Sequence, residues 1–143
     1  MVDSTLAWAK AKGAQKFGYV GFCYGAWAGF KASESGDFAC GVNAHPSLVL
    51  EKYAWGGDDE AMGKTAKCNM LILPTKQDPE NVGPGQGVLA GLHANGFTGS
   101  QSVEFRDMDH GFCTRGDMND DNTCNQVYEA LKLTKDYLAK YLK

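Results

Sequence analysis

"KFGYVGFCYGAWAGF", residues 16–30, sets a cysteine between two glycines where a short β-rich pattern gives way to small residues at helical spacing. Within it, Gly21-Phe22-Cys23-Tyr24-Gly25 has the form glycine, any residue, nucleophile, any residue, glycine. A side chain on so tight a strand-to-helix turn is crowded from two residues away on either side, and glycine there lets the backbone close. A thiolate at Cys23 feels the positive end of the following helix, which favours the charged form. The N–H of Tyr24, first in that helix, is placed to donate to an oxyanion. The competing reading is a small thiol that only packs, as free cysteines commonly do.

The rest of the chain supplies the frame. "VDSTLAWAKAKG" spaces Val2, Leu6 and Ala9 for a helix that Gly13 stops. After the elbow come an extended run, "FACGVNAHP", and a buried strand, "NMLILPT". A helix follows in "GVLAGLHANG", then a strand in "SQSVEFRDM". The last stretch predicts a long amphipathic helix with Val127, Leu131, Leu138 and Leu142 on one face. Strand and helix patterns alternate about four times, which predicts an α/β fold with a parallel sheet. "EKYAWGGDDEAMGKTAK" is expected to be an irregular surface excursion, and "CTRGDMNDDNTC" a polar loop.

A nucleophile needs a base, and the base an orienting group. His93 falls within a predicted helix, His45 follows a strand and precedes proline, and His110 follows the last strand in "DMDHGF". Sites in α/β sheets assemble at the carboxyl ends of strands, so position favours His110, with His45 the weaker rival and read as a satisfied structural histidine. Asp78, in "LPTKQDPENVGP", follows the strongest strand in the same way. Nucleophile, acid, histidine is then the chain order.

Other chemistries find less support. In "GDDEAMGKT", Gly57 is one residue too far from Gly63 for a phosphate loop, and two acids would repel phosphate. "DMNDDNTCNQVYE" starts like a calcium loop, but Asn122 stands for the turn glycine and Tyr128 for the bidentate glutamate. "GPGQGVLAG" lacks dinucleotide spacing. The five cysteines are odd in number and without CxxC spacing, which argues against a complete disulfide framework or a zinc ribbon and for reduced thiols. Hydrophobic residues at 43% and charged residues at 22% argue against disorder. A net charge of −3 with dispersed Lys and Arg argues against nucleic acid as partner. No apolar run is long enough for a membrane span and the N-terminus lacks signal-peptide order, so a cytoplasmic or other soluble compartment is expected.

"GYVGFCYGA", "NAHPS", "LILPTKQDP" and "DMDHGFCTRGD" together resemble the dienelactone hydrolase family of α/β-hydrolases, in the family's order and over essentially the whole chain. A cysteine in the elbow marks that family. The resemblance implies Cys23 as nucleophile, Asp78 as acid and His110 as base, with Arg115 contacting a substrate carboxylate; a solvated loop charge is the other reading of Arg115. It implies hydrolysis of a small ester or lactone through a thiol ester, with no metal or organic cofactor.

Family members carry further strands before the nucleophile strand, with a loop completing the oxyanion hole, a glutamate associated with the resting thiol and another substrate arginine. Only residues 1–22 precede Cys23 here. The expectation is therefore a partial α/β-hydrolase fold, a single truncated domain over residues 1–143 with the family's N-terminal strands absent. The strand ending at Phe22 would then be a free sheet edge, which a missing segment, another copy of the chain or a rearranged cover must protect. Two functional alternatives stay open: an inactive binding or structural module that retains the elbow, and a redox-sensing thiol protein.

Overall fold

In the computed structural model, which describes residues 2–143, four parallel strands form one sheet in the order β1-β2-β3-β4. They are β1 (Gly18–Phe22), β2 (Cys40–Ala44), β3 (Asn69–Leu73) and β4 (Gln101–Ser102). The register sets Phe22 beside Ala44 and Ala44 beside Leu73, so the first three strands end level. Whatever follows each strand emerges along one rim of the sheet.

Seven helices connect or flank the strands among the described residues: α1 (Val2–Ala11), α2 (Tyr24–Ser33), α3 (Leu50–Trp55), α4 (Met62–Thr65), α5 (Gly87–Ala94), α6 (Phe112–Arg115) and α7 (Asp121–Tyr141). The alternation of side chains along β3 divides the core. Met70 and Ile72 pack with Phe30 of α2, Met62 of α4 and Val88, Leu89 and Leu92 of α5. Leu71 and Leu73 face the other way, with Cys40, Val42 and Ala44 of β2 and with Val127, Ala130 and Tyr137 of α7. Helices therefore cover both faces, as a parallel sheet requires. This is the four-stranded α/β architecture of a partial α/β-hydrolase fold. No helix among the described residues is long and apolar enough to cross a membrane.

The structure departs from the sequence reading in three places. The strand expected over "SQSVEFRDM" is regular only at Gln101–Ser102. Val103 and Phe105 still donate to Ile72 and Pro74 carbonyls, at 2.9 and 2.8 Å, but Pro74 has no N–H to return, so the regular ladder is interrupted and only a single parallel bridge, Thr75 to Phe105, follows it. The excursion after residue 50 forms α3 and α4, and Met62, Gly63 and Ala66 enter the core. On α7 the buried stripe is Val127, Ala130 and Tyr137, with Leu131 half exposed.

Close contact fixes α2 against the sheet. The Tyr19 ring fills the space between Gly29 of α2 and Gly41 of β2, and its hydroxyl donates to Asn43 Oδ1 at 3.1 Å. A Cβ at Gly29 would lie 2.1 Å from the ring. Alanine is the better helix former, yet Gly29→Ala is expected to lower the unfolding free energy by about 1–3 kcal/mol, as overpacking does. Urea unfolding checks this, and a stability at or above that of the parent would contradict the packing argument.

Candidate active site

The turn from β1 into α2 is as sharp as the sequence suggests. Cys23 has φ 54° and ψ −120°, and it shares a positive φ only with His45 among the described non-glycine residues. Such a backbone costs about 1–3 kcal/mol and persists only where neighbours enforce it. The neighbours are visible: the Cys23 N–H donates to Ala44 O at 3.2 Å, and its carbonyl accepts from Ala26 N at 3.1 Å and Ser47 N at 3.2 Å. A Cβ on Gly21 would stand 2.5 Å from the Gly25 carbonyl oxygen, so glycine is demanded there. A Cβ on Gly25 meets nothing within 4 Å. The turn therefore needs only the first of its two glycines for steric reasons.

All five thiols are free, and their environments differ. Burial pushes Cys40 up and drives Cys68 and Cys113 to about 12. Burial also pushes the Cys23 thiol up, but hydrogen bonds from Ser47, His110 and the Tyr24 N–H, with the His110 charge, outweigh it and leave the thiol below its ordinary value. Ser47 Oγ lies 3.4 Å from Cys23 Sγ. The Tyr24 N–H, expected as an oxyanion donor, thus faces the Cys23 sulfur in this structure.

Asp78 and His110 meet across the rim. His110 Nδ1 is 3.3 Å from Asp78 Oδ1, and a carboxylate there places the ring hydrogen on Nδ1. The other carboxylate oxygen of the buried Asp78 accepts from Thr75 N at 2.7 Å and Thr75 Oγ1 at 2.8 Å. Three successive residues, Lys76, Gln77 and Asp78, clasp Met108, Asp109 and His110. Lys76 N donates to Met108 O at 3.3 Å, and Lys76 Nζ pairs with Asp109 at 2.9 Å. Gln77 accepts from the His110 N–H at 2.7 Å while donating to Asp109. Arg106 closes the acid loop from behind, donating to the carbonyls of Thr75 and Asp78 at 2.9 and 3.2 Å. Sequence reasoning brought Cys23, Asp78 and His110 to one place and missed Ser47, Gln77 and Arg106.

His45 is buried and is not the satisfied histidine expected, since neither ring nitrogen has a hydrogen-bond partner. Its ring packs edge-on to His110 at 5.0 Å and near Phe22 and Phe112. Burial, with the His110 charge, lowers its pKa to about 4. His93 is elsewhere, its ring 3.0 Å from Ser100 O. Arg115 lies on α6 with its guanidinium folded over Gly111, and lines with His110 an open hollow of about 300 Å³ that Cys23 does not border. Arg115 makes no ion pair among the described residues.

No family model and no curated protein matches the chain. Solved structures do match, among them an acylaminoacyl peptidase of Pyrococcus horikoshii in an orthorhombic crystal form, with a TM-score of 0.59 and 19% identity. The likeness covers 90% of this chain and 24% of that one, so the chain spans about a quarter of its neighbour's length. At this identity the likeness concerns the fold, and it agrees with the α/β-hydrolase architecture described above.

Two outcomes follow from this geometry. Gly21→Ala is expected to cost about 1–3 kcal/mol in urea unfolding by overpacking, whereas Gly25→Ala should stay close to the parent or above it; equal losses would refute the asymmetry. For His45, the unfolded ring protonates near 6.5 and the folded one near 4. The unfolded chain binds more protons in that window, so this contribution is complete above pH 6.5 and is lost as pH falls toward 4. Unfolding free energy should drop by roughly 2–3 kcal/mol from this group. His45→Asn should flatten that slope, and an unchanged slope would show that His45 does not carry it.

Proposed function

We propose that this chain carries a cysteine hydrolase site for small carboxylic esters or lactones, with Cys23 as nucleophile, His110 as acid and base, and Asp78 as the group that orients the imidazole. The observation that carries the reading is the environment of Cys23, the thiol lowered by its hydrogen bonds, beside a histidine whose Nδ1 is held by a buried carboxylate.

The chemistry follows from those positions. The Cys23 thiolate attacks the ester carbonyl carbon, a C–S bond forms, and the carbonyl π electrons move to oxygen. The Tyr24 N–H, released from the sulfur as the C–S bond forms, donates to that oxyanion. Collapse breaks the bond to the leaving oxygen, which takes a proton from His110 Nε2. Water then attacks the thiol ester while Nε2 accepts its proton, and the second collapse releases the carboxylic acid and returns the thiolate and imidazolium. Asp78 keeps Nε2 as the nitrogen facing the reaction throughout.

The resemblance of "GFCYGA" and "HGFCTRGD" to dienelactone hydrolases supports a small carboxylate-bearing lactone as substrate. The guanidinium of Arg115, without an ion pair among the described residues and lining a hollow with His110, supports the same choice. A soluble setting, with no nucleic acid or membrane partner, accords with the composition, and a partner or second copy along the β1 edge accords with exposed Val20 and Phe22.

The test is intact-mass analysis after mixing with p-nitrophenyl acetate. One acyl adduct on Cys23, decaying as product appears, is the expected result. Cys23→Ala should form no adduct and lose turnover, and His110→Ala should acylate slowly and retain what adduct it forms. Absence of any adduct from a chain shown by circular dichroism to be folded would overturn the reading in favour of an inactive module.

A further inference from the structure

We propose that Ser47 is a catalytic residue of the same site, its hydroxyl donating to the Cys23 thiolate and so holding the sulfur in its attacking form; this rests on the reading of Cys23 as nucleophile. The residue grips Cys23 at two points. Its N–H donates to the Cys23 carbonyl at 3.2 Å and its hydroxyl lies 3.4 Å from Sγ. A thiolate has no proton, so in that state the hydroxyl must be the donor. Two contacts from one residue to one residue fix the hydroxyl against the sulfur.

The backbone leading to Ser47 explains how it arrives there. Ala44 ends β2 beside Phe22, and the chain would run on past the rim if it stayed extended. Instead His45 adopts φ 38°, its N–H anchored to Leu73 O at 2.8 Å, and Pro46 follows with its fixed φ. The turn brings Ser47 back to the elbow, and Leu50 N then bonds Ser47 O at 3.1 Å to open α3. His45, which with Cys23 has a positive φ among the described non-glycine residues, thus aims the Ser47 hydroxyl at Cys23.

The donor acts on both steps. It stabilises the thiolate that attacks and the thiolate that leaves when water splits the thiol ester, whereas the neutral sulfur of the thiol ester accepts weakly. Added thiolate population outweighs the modest loss of nucleophilicity when the medium is more acidic than the thiol. The other groups facing the sulfur are the His110 ring, with Asp78 behind it, and the Tyr24 N–H of α2.

The experiment measures iodoacetamide alkylation of Cys23 in the whole chain, mapped by peptide mass, between about pH 5 and pH 9. Ser47→Ala is expected to move the half-point to higher pH and slow alkylation at neutral pH by roughly tenfold, the loss of one charge-assisted hydrogen bond. Ser47→Thr should restore most of the rate. The loss should persist in a His110→Ala background, because Ser47 acts on the sulfur itself and not through the imidazole. Ser47→Gly removes the same hydroxyl and replaces the alanine variant if that one does not fold. A folded variant lacking the hydroxyl with an unchanged alkylation profile overturns the proposal. Alkylation reads the sulfur whether or not esters turn over, so this result stands apart from the acyl-adduct experiment.

Discussion

The backbone of Cys23 is the point to which the rest of the molecule is tied. Its N–H extends the β1–β2 ladder to Ala44, its carbonyl holds both the first turn of α2 through Ala26 and the post-β2 loop through Ser47, and its φ of 54° turns the chain sharply between them. About 1–3 kcal/mol of backbone strain is retained there, and three hydrogen bonds at one residue are of the size to offset it at roughly 1 kcal/mol each. The turn is possible only because Gly21 lets the Gly25 carbonyl approach to within what would be 2.5 Å of a Cβ. A close approach of backbone to backbone therefore sets the direction in which the thiol points.

From that point the site assembles by register. β1, β2 and β3 end level, and each hands its next few residues to the same rim: Cys23 after β1, His45 and Ser47 after β2, Thr75 and Asp78 after β3. The loop after β4 would be the loosest contributor, because Pro74 interrupts the ladder and leaves only the single Thr75–Phe105 bridge beyond it. Side chains replace the missing backbone bonds: Gln77 and Lys76 grip Asp109 and His110, and Arg106 grips the carbonyls of the acid loop. The histidine at the end of the weakest strand is thus held by its neighbour loop and not by the sheet.

Much of this was legible in the sequence because it is local. The glycine spacing about Cys23, the apolar run of "NMLIL" and the position of His110 and Asp78 after their strands are all short-range signals, and each lands where the structure has it. What escaped depends on residues far apart in the chain. Ser47 meets Cys23 across 24 residues, Gln77 meets His110 across 33 and Arg106 meets Thr75 across 31, and no periodicity encodes such encounters. The shortening of β4 was encoded, though not in β4 itself: the proline that interrupts its pairing lies in β3's continuation. On α7 the 3.6-residue period was right, but it was drawn through Leu131 when the smaller Ala130 and the larger Tyr137 fit the sheet.

Two histidines 5.0 Å apart show how environment, and not residue type, assigns roles at this rim. His110 is partly exposed, and its Nδ1 lies 3.3 Å from the Asp78 carboxylate. His45 is wholly buried, has no carboxylate bonded to its ring, and feels the other ring's charge. Protonating His45 would put a desolvated charge beside that of its neighbour, and this holds its pKa down. The buried ring packs edge-on against His110, and its own strained backbone carries Ser47 to the sulfur. One residue that never ionises near neutral pH shapes the site from both directions.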